Sequence, residues 1–316
     1  MTAAPRIVVI GSANMDLVVR VEHIPAPGET VLGGAFVTVP GGKGANQAVA
    51  AARLGAQVEF VGRVGADVFG DALLAALSEA GVDTRLIARD PDQPSGVALI
   101  GVDAQGQNAI IVAPGANGQV GPADIDAARE SIAAAQAVVI QLEIPRETVA
   151  YAVGAAKAAG TQVILNPAPV RHTHPLPGPL LRQVDLLTPN EHEAANLLGL
   201  ESPEGLTWEE VAAELRARGV GTVVITLGAE GCLLASEEGL RRLPALPVTP
   251  VDTTAAGDCF TGALAVALAE GGSLDAAAQF ATRAAALSVT RLGAQPSLPT
   301  RAEVDSFGGE CLCDFR

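Results

Sequence analysis

Short runs of β-branched and aliphatic residues alternate along most of the chain with longer segments whose apolar positions recur at helical spacing. Arg6-Ile7-Val8-Val9-Ile10-Gly11 has no polar residue between Ile7 and Ile10, the pattern of a central strand buried on both faces. Similar runs predict strands at residues 57–61, 137–141, 162–165, 184–188 and 222–227. Helices are expected from Lys43 to about Leu54 and over 69–80, 122–134, 145–159 and 274–290, with another starting after Pro189. This alternation predicts an α/β fold with a central, mainly parallel sheet flanked by helices in Rossmann-type layers. Two stretches break the rhythm. Residues 17–21 and 30–39 flank Pro25-Ala26-Pro27-Gly28, and residues 95–102 and 107–112 flank Asp103-Ala104-Gln105-Gly106, so both read as hairpins. They predict a small separate β-sheet, inserted at about 14–40 and 95–113 in a single domain spanning 1–316. Such a sheet could serve as a lid, a dimer surface or both.

Polar residues collect just past the predicted strand ends, where open α/β sheets bind ligands. Asn14 and Asp16 follow the first strand, one residue apart, so an extended segment would turn both to one pocket; an Asx turn explains them equally. Glu143 ends another strand, where an exposed charge is the ordinary reading. Pro40-Gly41-Gly42-Lys43-Gly44-Ala45-Asn46-Gln47-Ala48 is not a P-loop, because the glycine spacing is wrong and Gly44 stands where Ser or Thr is required. Its glycines let a ligand approach the backbone, and Asn46 offers both a donor and an acceptor. Asn190 and Glu193 lie one turn apart at a helix start, although the helix dipole alone favours an acidic first turn. Gly228-Ala229-Glu230-Gly231 resembles a hairpin turn as much as a phosphate loop. The loop from Arg291 to Ser297 is rich in carbonyls free to bind a cation.

The chain is organised around Asp252-Thr253-Thr254-Ala255-Ala256-Gly257-Asp258, which leads into an apolar segment expected to be a buried helix. The small residues leave the Ala255-Ala256-Gly257 backbone open, so its N–H groups at a helix N-terminus can close around a phosphate. Asp258, just inside the helix, would accept the proton of an attacking hydroxyl; a helix cap is the alternative. The helix terminus favours the ionised form and predicts a weak base.

A net charge of −15 argues against a nucleic-acid partner. Lys43 gains weight because the only other lysine is Lys157. Cys232 and Cys259 lie in apolar runs and read as small buried hydrophobes, whereas Cys311-Leu312-Cys313 supplies only two of the ligands a zinc site needs. His172 and His174 likewise lack a third ligand. With no signal peptide and no apolar run of membrane length, a cytoplasmic protein without a membrane partner is expected.

Gly11-Ser12-x-Asn14-x-Asp16, the Pro40–Ala48 segment quoted above, Thr188-Pro189-Asn190-x-x-Glu193 and Asp252–Asp258 resemble, in order, the motifs of the ribokinase family of sugar and nucleoside kinases. The likeness spans about residues 5–305, and Gly-Gly-Lys-Gly-Ala-Asn is its narrowest motif, pointing to the ribose-phosphorylating members. It implies transfer from ATP to the 5-hydroxyl of D-ribose, with Asn14, Asp16, Gly42, Lys43, Asn46 and Glu143 holding the sugar. Asp258 would be the base and the N–H groups from Ala255 through Ala256 to Gly257 the anion hole. Asn190 and Glu193 would contact phosphates and the water shell of magnesium, with Thr226, Gly228, Gly231 and Thr282 along the nucleotide. Thr282 stands where some members place a histidine. Asp252, Thr254, Ser288, Arg291, Gly293 and Ser297 would surround potassium, partly through carbonyls. The family fold adds a small β-lid that also makes a homodimer.

Rival readings are a kinase of the same fold for another pentose or a nucleoside, and a silent sugar-binding protein, against which the intact Asp258 argues. A dinucleotide-dependent dehydrogenase lacks its G-x-G-x-x-G after the first strand.

Overall fold

The computed structural model describes residues 4–202 and 205–307; the Cys311/Cys313 pair lies outside them. A ten-stranded sheet forms the centre, its main path running Gly239–Leu243, Cys232–Ser236, Thr222–Thr226, Leu186–Leu187, Gln162–Leu165, Ala137–Ile140, Arg6–Ile10, Gln57–Gly65 and Val82–Asp83. Ile87–Asp90 pairs with the far half of Gln57–Gly65. All pairings are parallel except those of Cys232–Ser236, which pairs antiparallel with Thr222–Thr226 and with the edge strand Gly239–Leu243. The mainly parallel α/β fold read from the sequence is therefore present.

The apolar first strand sits where its composition requires. Ile7 and Val9 face one core, with the helices Lys43–Arg53, Val68–Glu79, Ala256–Ala269 and Leu274–Ser288. Val8 and Ile10 face the other, with Arg146–Ala159, Glu191–Leu197 and Trp208–Ala217. The chain leaves Arg6–Ile10 toward Gln57–Gly65 on one side and later returns to Ala137–Ile140 on the other. The strand order thus reverses at the first strand, which opens a crevice beyond its carboxyl end.

Asn14–Arg20 continues past that end into a separate four-stranded sheet, ordered Phe36–Gly41, Asn14–Arg20, Gly96–Val102, Asn108–Ala113. Both expected hairpins form, antiparallel in register, and a parallel pairing of Asn14–Arg20 with Gly96–Val102 joins them. Residues 30–35 do not extend the first hairpin, whose second strand starts at Phe36. The expected 122–134 helix is two, Pro122–Ala127 and Arg129–Ala134.

Candidate active site

Four segments converge beyond the first strand, and the Lys43–Arg53 helix supplies most of the contacts. Lys43 N and the Ser12 hydroxyl both donate to Glu143 Oε2, at 3.1 and 2.5 Å. Three residues on, Asn46 Nδ2 donates to Asp258 Oδ2 at 3.0 Å, and Gln47 Nε2 donates to Asp258 Oδ1 at 2.9 Å. Asp258 is the third residue of the Ala256–Ala269 helix, and it reaches the Lys43 helix because the two pack closely. A Cβ at Gly262 would lie 2.8 Å from both Ala50 Cβ and the Gln47 carbonyl. Any larger residue there would push the helices apart.

Gly41 and Gly42 do a different job from the one their sequence suggests. Gly42 has φ of 90°, and a Cβ would lie 2.6 Å from Asn14 N and 2.9 Å from Ala13 Cα. At Gly41 a Cβ would strike the Asp16 carboxylate. These glycines admit the protein's own backbone and side chains rather than a ligand alone.

Asn14 and Asp16 are buried on the same face of their strand. Asn14 Oδ1 accepts from Asn117 Nδ2 at 2.8 Å, and Asn117 also bonds both backbone groups of Ala13. Asn117 was not legible as a site residue; an amide between Ala116 and Gly118 in a turn carries no distinguishing signal. Gln47, Gln141 and Asn166 were missed as well. The last two each close an apolar strand run, which is the signal that could have found them.

Four carboxylates and one ammonium share this space. Burial pushes Asp16 up to about 7, reinforced by Glu143 and Asp258 and opposed by Lys43. Glu193 is also raised, chiefly by burial. Burial would lower Lys43, but Asp258, Glu143, Glu193 and Asp16 together hold it above its usual range. Asp258 is raised too: burial outweighs Lys43 and the bonds from Asn46 and Gln47. That corrects the expectation of a weak base, because the helix terminus is a smaller effect than removing the carboxylate from water.

Since Asp16 holds its proton more tightly folded than unfolded, the folded state carries the extra proton between its ordinary 3.8 and about 7. Stability therefore falls as pH rises through that interval, by roughly 4 kcal/mol from this one group in the ligand-free protein. Asp16→Asn is expected to flatten the decline measured by thermal melting from pH 5 to 7.5. Equal slopes in the two proteins would remove Asp16 from this account.

At the start of the Ala256–Ala269 helix, Ala255 has φ of 60°, the sole positive value at a non-glycine among the described residues. No side chain caps this end. Ala256 N donates to the Thr253 carbonyl at 3.2 Å, while among the described residues the N–H groups of Ala255, Gly257 and Asp258 have no acceptor. Of the three donors expected at this turn, Ala256 N is thus taken, and Asp258 N is open beside those of Ala255 and Gly257 among the described residues.

Asn190 and Glu193 form a reciprocal capping box, with Glu193 N donating to Asn190 Oδ1 at 2.8 Å and Asn190 N to Glu193 Oε2 at 3.0 Å. Helix capping accounts for part of that motif. Asn190 also bridges to Thr226, Thr226 pairs with Cys232, and Cys232 Sγ lies 3.9 Å from Thr282 Oγ1. These residues form one continuous tract. Gly228–Glu230 is a turn between antiparallel strands, and Gly231 is required there because a Cβ would strike the Leu243 carbonyl. Cys232 and Cys259 are buried, and burial pushes their thiols up to about 11 and about 12.

Asp252 gathers the remaining loop. Its Oδ1 accepts from Thr254 N and Oγ1, and its Oδ2 from Gly293 N at 2.9 Å. Although burial raises it, these bonds leave Asp252 below the usual carboxylate range. Ser288 and Ser297 turn their hydroxyls to the Ala285 and Ala294 carbonyls, and Arg291 pairs with Glu303 at 2.7 Å. Not all carbonyls here are free: Arg53 Nη1 binds those of Gln295 and Leu298, each at 2.8 Å.

The sequence profile of the pfkB family carbohydrate kinases matches residues 4–301, and the chain belongs to that family. It is similar to the ribokinase of Bacillus subtilis, at 48% identity over 95% of this chain and 98% of that one. A deoxyribokinase of Salmonella typhi is 37% identical over 95% of this chain and 98% of its own length. The solved ribokinase of Arabidopsis thaliana, complexed with ribose and ATP, superposes with a TM-score of 0.85 at 37% identity, covering 95% of this chain and 97% of that one. The chain is a sugar kinase.

Proposed function

We propose that this kinase transfers the terminal phosphoryl group of ATP to the 5-hydroxyl of D-ribose. The observation that carries the chemistry is Asp258: a buried carboxylate held by two amide donors, next to backbone N–H groups with no acceptor among the described residues. The carboxylate takes the hydroxyl proton as the oxygen attacks phosphorus. The N–H groups of Ala255, Gly257 and Asp258 stabilise the charge on the migrating group. Asn14, Asp16, Gly42, Lys43, Asn46 and Glu143 hold the sugar. Asn46 Oδ1, buried and with no partner among the described residues, supplies an acceptor for a hydroxyl.

Ribose is favoured by the Gly-Gly-Lys-Gly-Ala-Asn motif and the ribokinase relatives. The deoxyribokinase relative, named for a sugar one oxygen poorer, makes another pentose the second reading. ADP release across a panel of ribose, deoxyribose, other pentoses, hexoses and nucleosides separates them. Ribose is expected to give the highest kcat/KM, and a better nucleoside or deoxyribose would overturn the assignment.

Asn190, Glu193, Thr226, Gly228, Gly231 and Thr282 border the nucleotide in this reading. Among the described residues no group of three or more His, Cys, Asp or Glu side chains gathers as a metal cage. Magnesium would accordingly arrive on the ATP phosphates, with Glu193 reaching its water shell; when bound it neutralises phosphate charge. Potassium suits the Asp252 loop, whose carboxylate is kept ionised and anchored to Thr254 and Gly293. Asp252, Thr254, Ser288, Arg291, Gly293 and Ser297 would hold it, Arg291 through its carbonyl because its side chain is paired. Replacing potassium with a bulky organic cation is expected to lower kcat, and unchanged kinetics would remove the site.

The small sheet fits both uses expected of it. Register puts Val37, Ile110 and Val112 on the Asp16 face and Phe36, Leu99 and Ile111 on the opposite face. All six are exposed. The first set suits a lid that excludes water from ATP, and the second suits a homodimer contact. Sedimentation is expected to give twice the chain mass, and Ile111→Lys to halve it; a monomeric parent would dismiss the dimer. No helix among the described residues is long and apolar enough to cross a membrane. A cytoplasmic setting belongs to the same reading, in which the buried Cys232 and Cys259 stay unpaired with each other.

A further inference from the structure

Gln47 is completely buried one residue beyond Asn46, and sugar and nucleotide binding leave it without a task. Its Nε2 donates to Asp258 Oδ1 at 2.9 Å and to Asn166 Oδ1 at 3.1 Å, while its Oε1 accepts from Gln141 Nε2 at 2.6 Å. Asn166 Nδ2 donates in turn to the Thr188 carbonyl at 2.7 Å. A carbonyl can only accept, so Thr188 fixes the nitrogen end of the Asn166 amide and turns its oxygen toward Gln47. Gln47 must then offer nitrogen to Asn166 and Asp258, and oxygen to Gln141. One backbone carbonyl thereby sets the direction of a chain of buried amides that ends on the carboxylate. An amide turned the other way would set its oxygen against a negative charge.

The frame that holds this chain is tight. The space a Cβ on Gly11 would need is filled by Gln141 Oε1, and the close approach at Gly262 keeps the Asp258 helix against the Gln47 carbonyl. Asn46 holds the other oxygen of Asp258, so the plane of the carboxylate is fixed from both ends.

We propose that Gln47, oriented by Gln141 and Asn166, is a positioning residue that fixes the Asp258 carboxylate in its acceptor state toward the sugar hydroxyl. The proposal rests on Asp258 being the base of the transfer. Lys43 faces Asp258 from the Gln47 helix, Asp16 from the small sheet, Glu143 from beyond the strand Ala137–Ile140, and Glu193 from its own helix. Cys259 is the adjoining thiol. Three of these neighbours are carboxylates that, with burial, favour a protonated Asp258. The Gln47 bond works against them, and a core amide that merely filled space would not.

Gln47→Met keeps length and volume but removes the donor. In ligand-free protein labelled with 13C at the aspartate carboxyls, the Asp258 signal is identified by its absence from Asp258→Asn. Its titration midpoint is expected to rise by about one unit in Gln47→Met. The acid limb of kcat should move by the same amount, so that kcat below neutral pH falls about tenfold. The KM for ribose should change less than threefold. Should Gln47→Met fail to fold, Gln141→Met frees the same amide to rotate and is expected to shift the midpoint in the same direction by a smaller amount. An unmoved midpoint in a folded variant, or a kcat loss equal at every pH, overturns the proposal. The carboxyl titration needs no substrate, so an absence of ADP from the unaltered enzyme would refute ribose phosphorylation while still reading the role of Gln47.

Discussion

Asp258→Asn is expected to lower kcat for ADP formation by roughly 10²-fold or more while leaving ribose binding, measured by calorimetry, within a few-fold. The amide matches the carboxylate in shape but cannot take the hydroxyl proton. Its effect on folding is expected to be small because two changes oppose each other. Asn has one acceptor oxygen where Asp258 offers two, so either Asn46 or Gln47 loses its partner, at about 1–3 kcal/mol. Against this, a buried charge that the fold already disfavours is removed. A melting temperature near that of the parent, beside a collapse of turnover, would separate catalysis from stability. Near-normal turnover would return Asp258 to the role of a helix residue.

Gly42→Ala is expected to destabilise the protein by roughly 2–5 kcal/mol in urea unfolding, because strain and overpacking act together. Alanine at φ of 90° is strained whatever the space around it, and its Cβ would meet the Ala13 and Asn14 backbone, which has no side-chain freedom to yield. The substitution also displaces Asn14 and the start of the Lys43 helix, so the KM for ribose should rise well beyond any change in the KM for ATP. Parental stability would mean that the loop relaxes elsewhere and that the close approach is dispensable.

Much of the fold was legible because local periodicity and tertiary burial demand the same residues. A strand covered on both faces must be apolar throughout, and Ile7 to Ile10 is; hairpins need turn residues between alternating runs, and Asp103–Gly106 supplies them. Where signals were weaker, boundaries moved. Residues 30–35 have β-like composition but no partner strand, and the 122–134 segment breaks into two helices at Ala128.

The candidate site was legible where residue type and spacing carried the chemistry, as at Lys43, Asn46 and Asp258. It was illegible where function depends on distant partners. Nothing local couples Gln47 to Asn166, which are 119 positions apart, or tells that Asn117 would occupy Asn14 Oδ1. The basicity of Asp258 was misread for the same reason. A helix terminus is a local feature, whereas the burial that outweighs it comes from several elements closing together.

The most direct test of the account is the geometry of a complex with ribose and a non-hydrolysable ATP analogue. The sugar's 5-hydroxyl is predicted to lie about 2.6–3.2 Å from the Asp258 carboxylate, with the terminal phosphate in line on the far side of that oxygen. A carboxylate turned away from the hydroxyl, with bulk water or another side chain in its place, would contradict it.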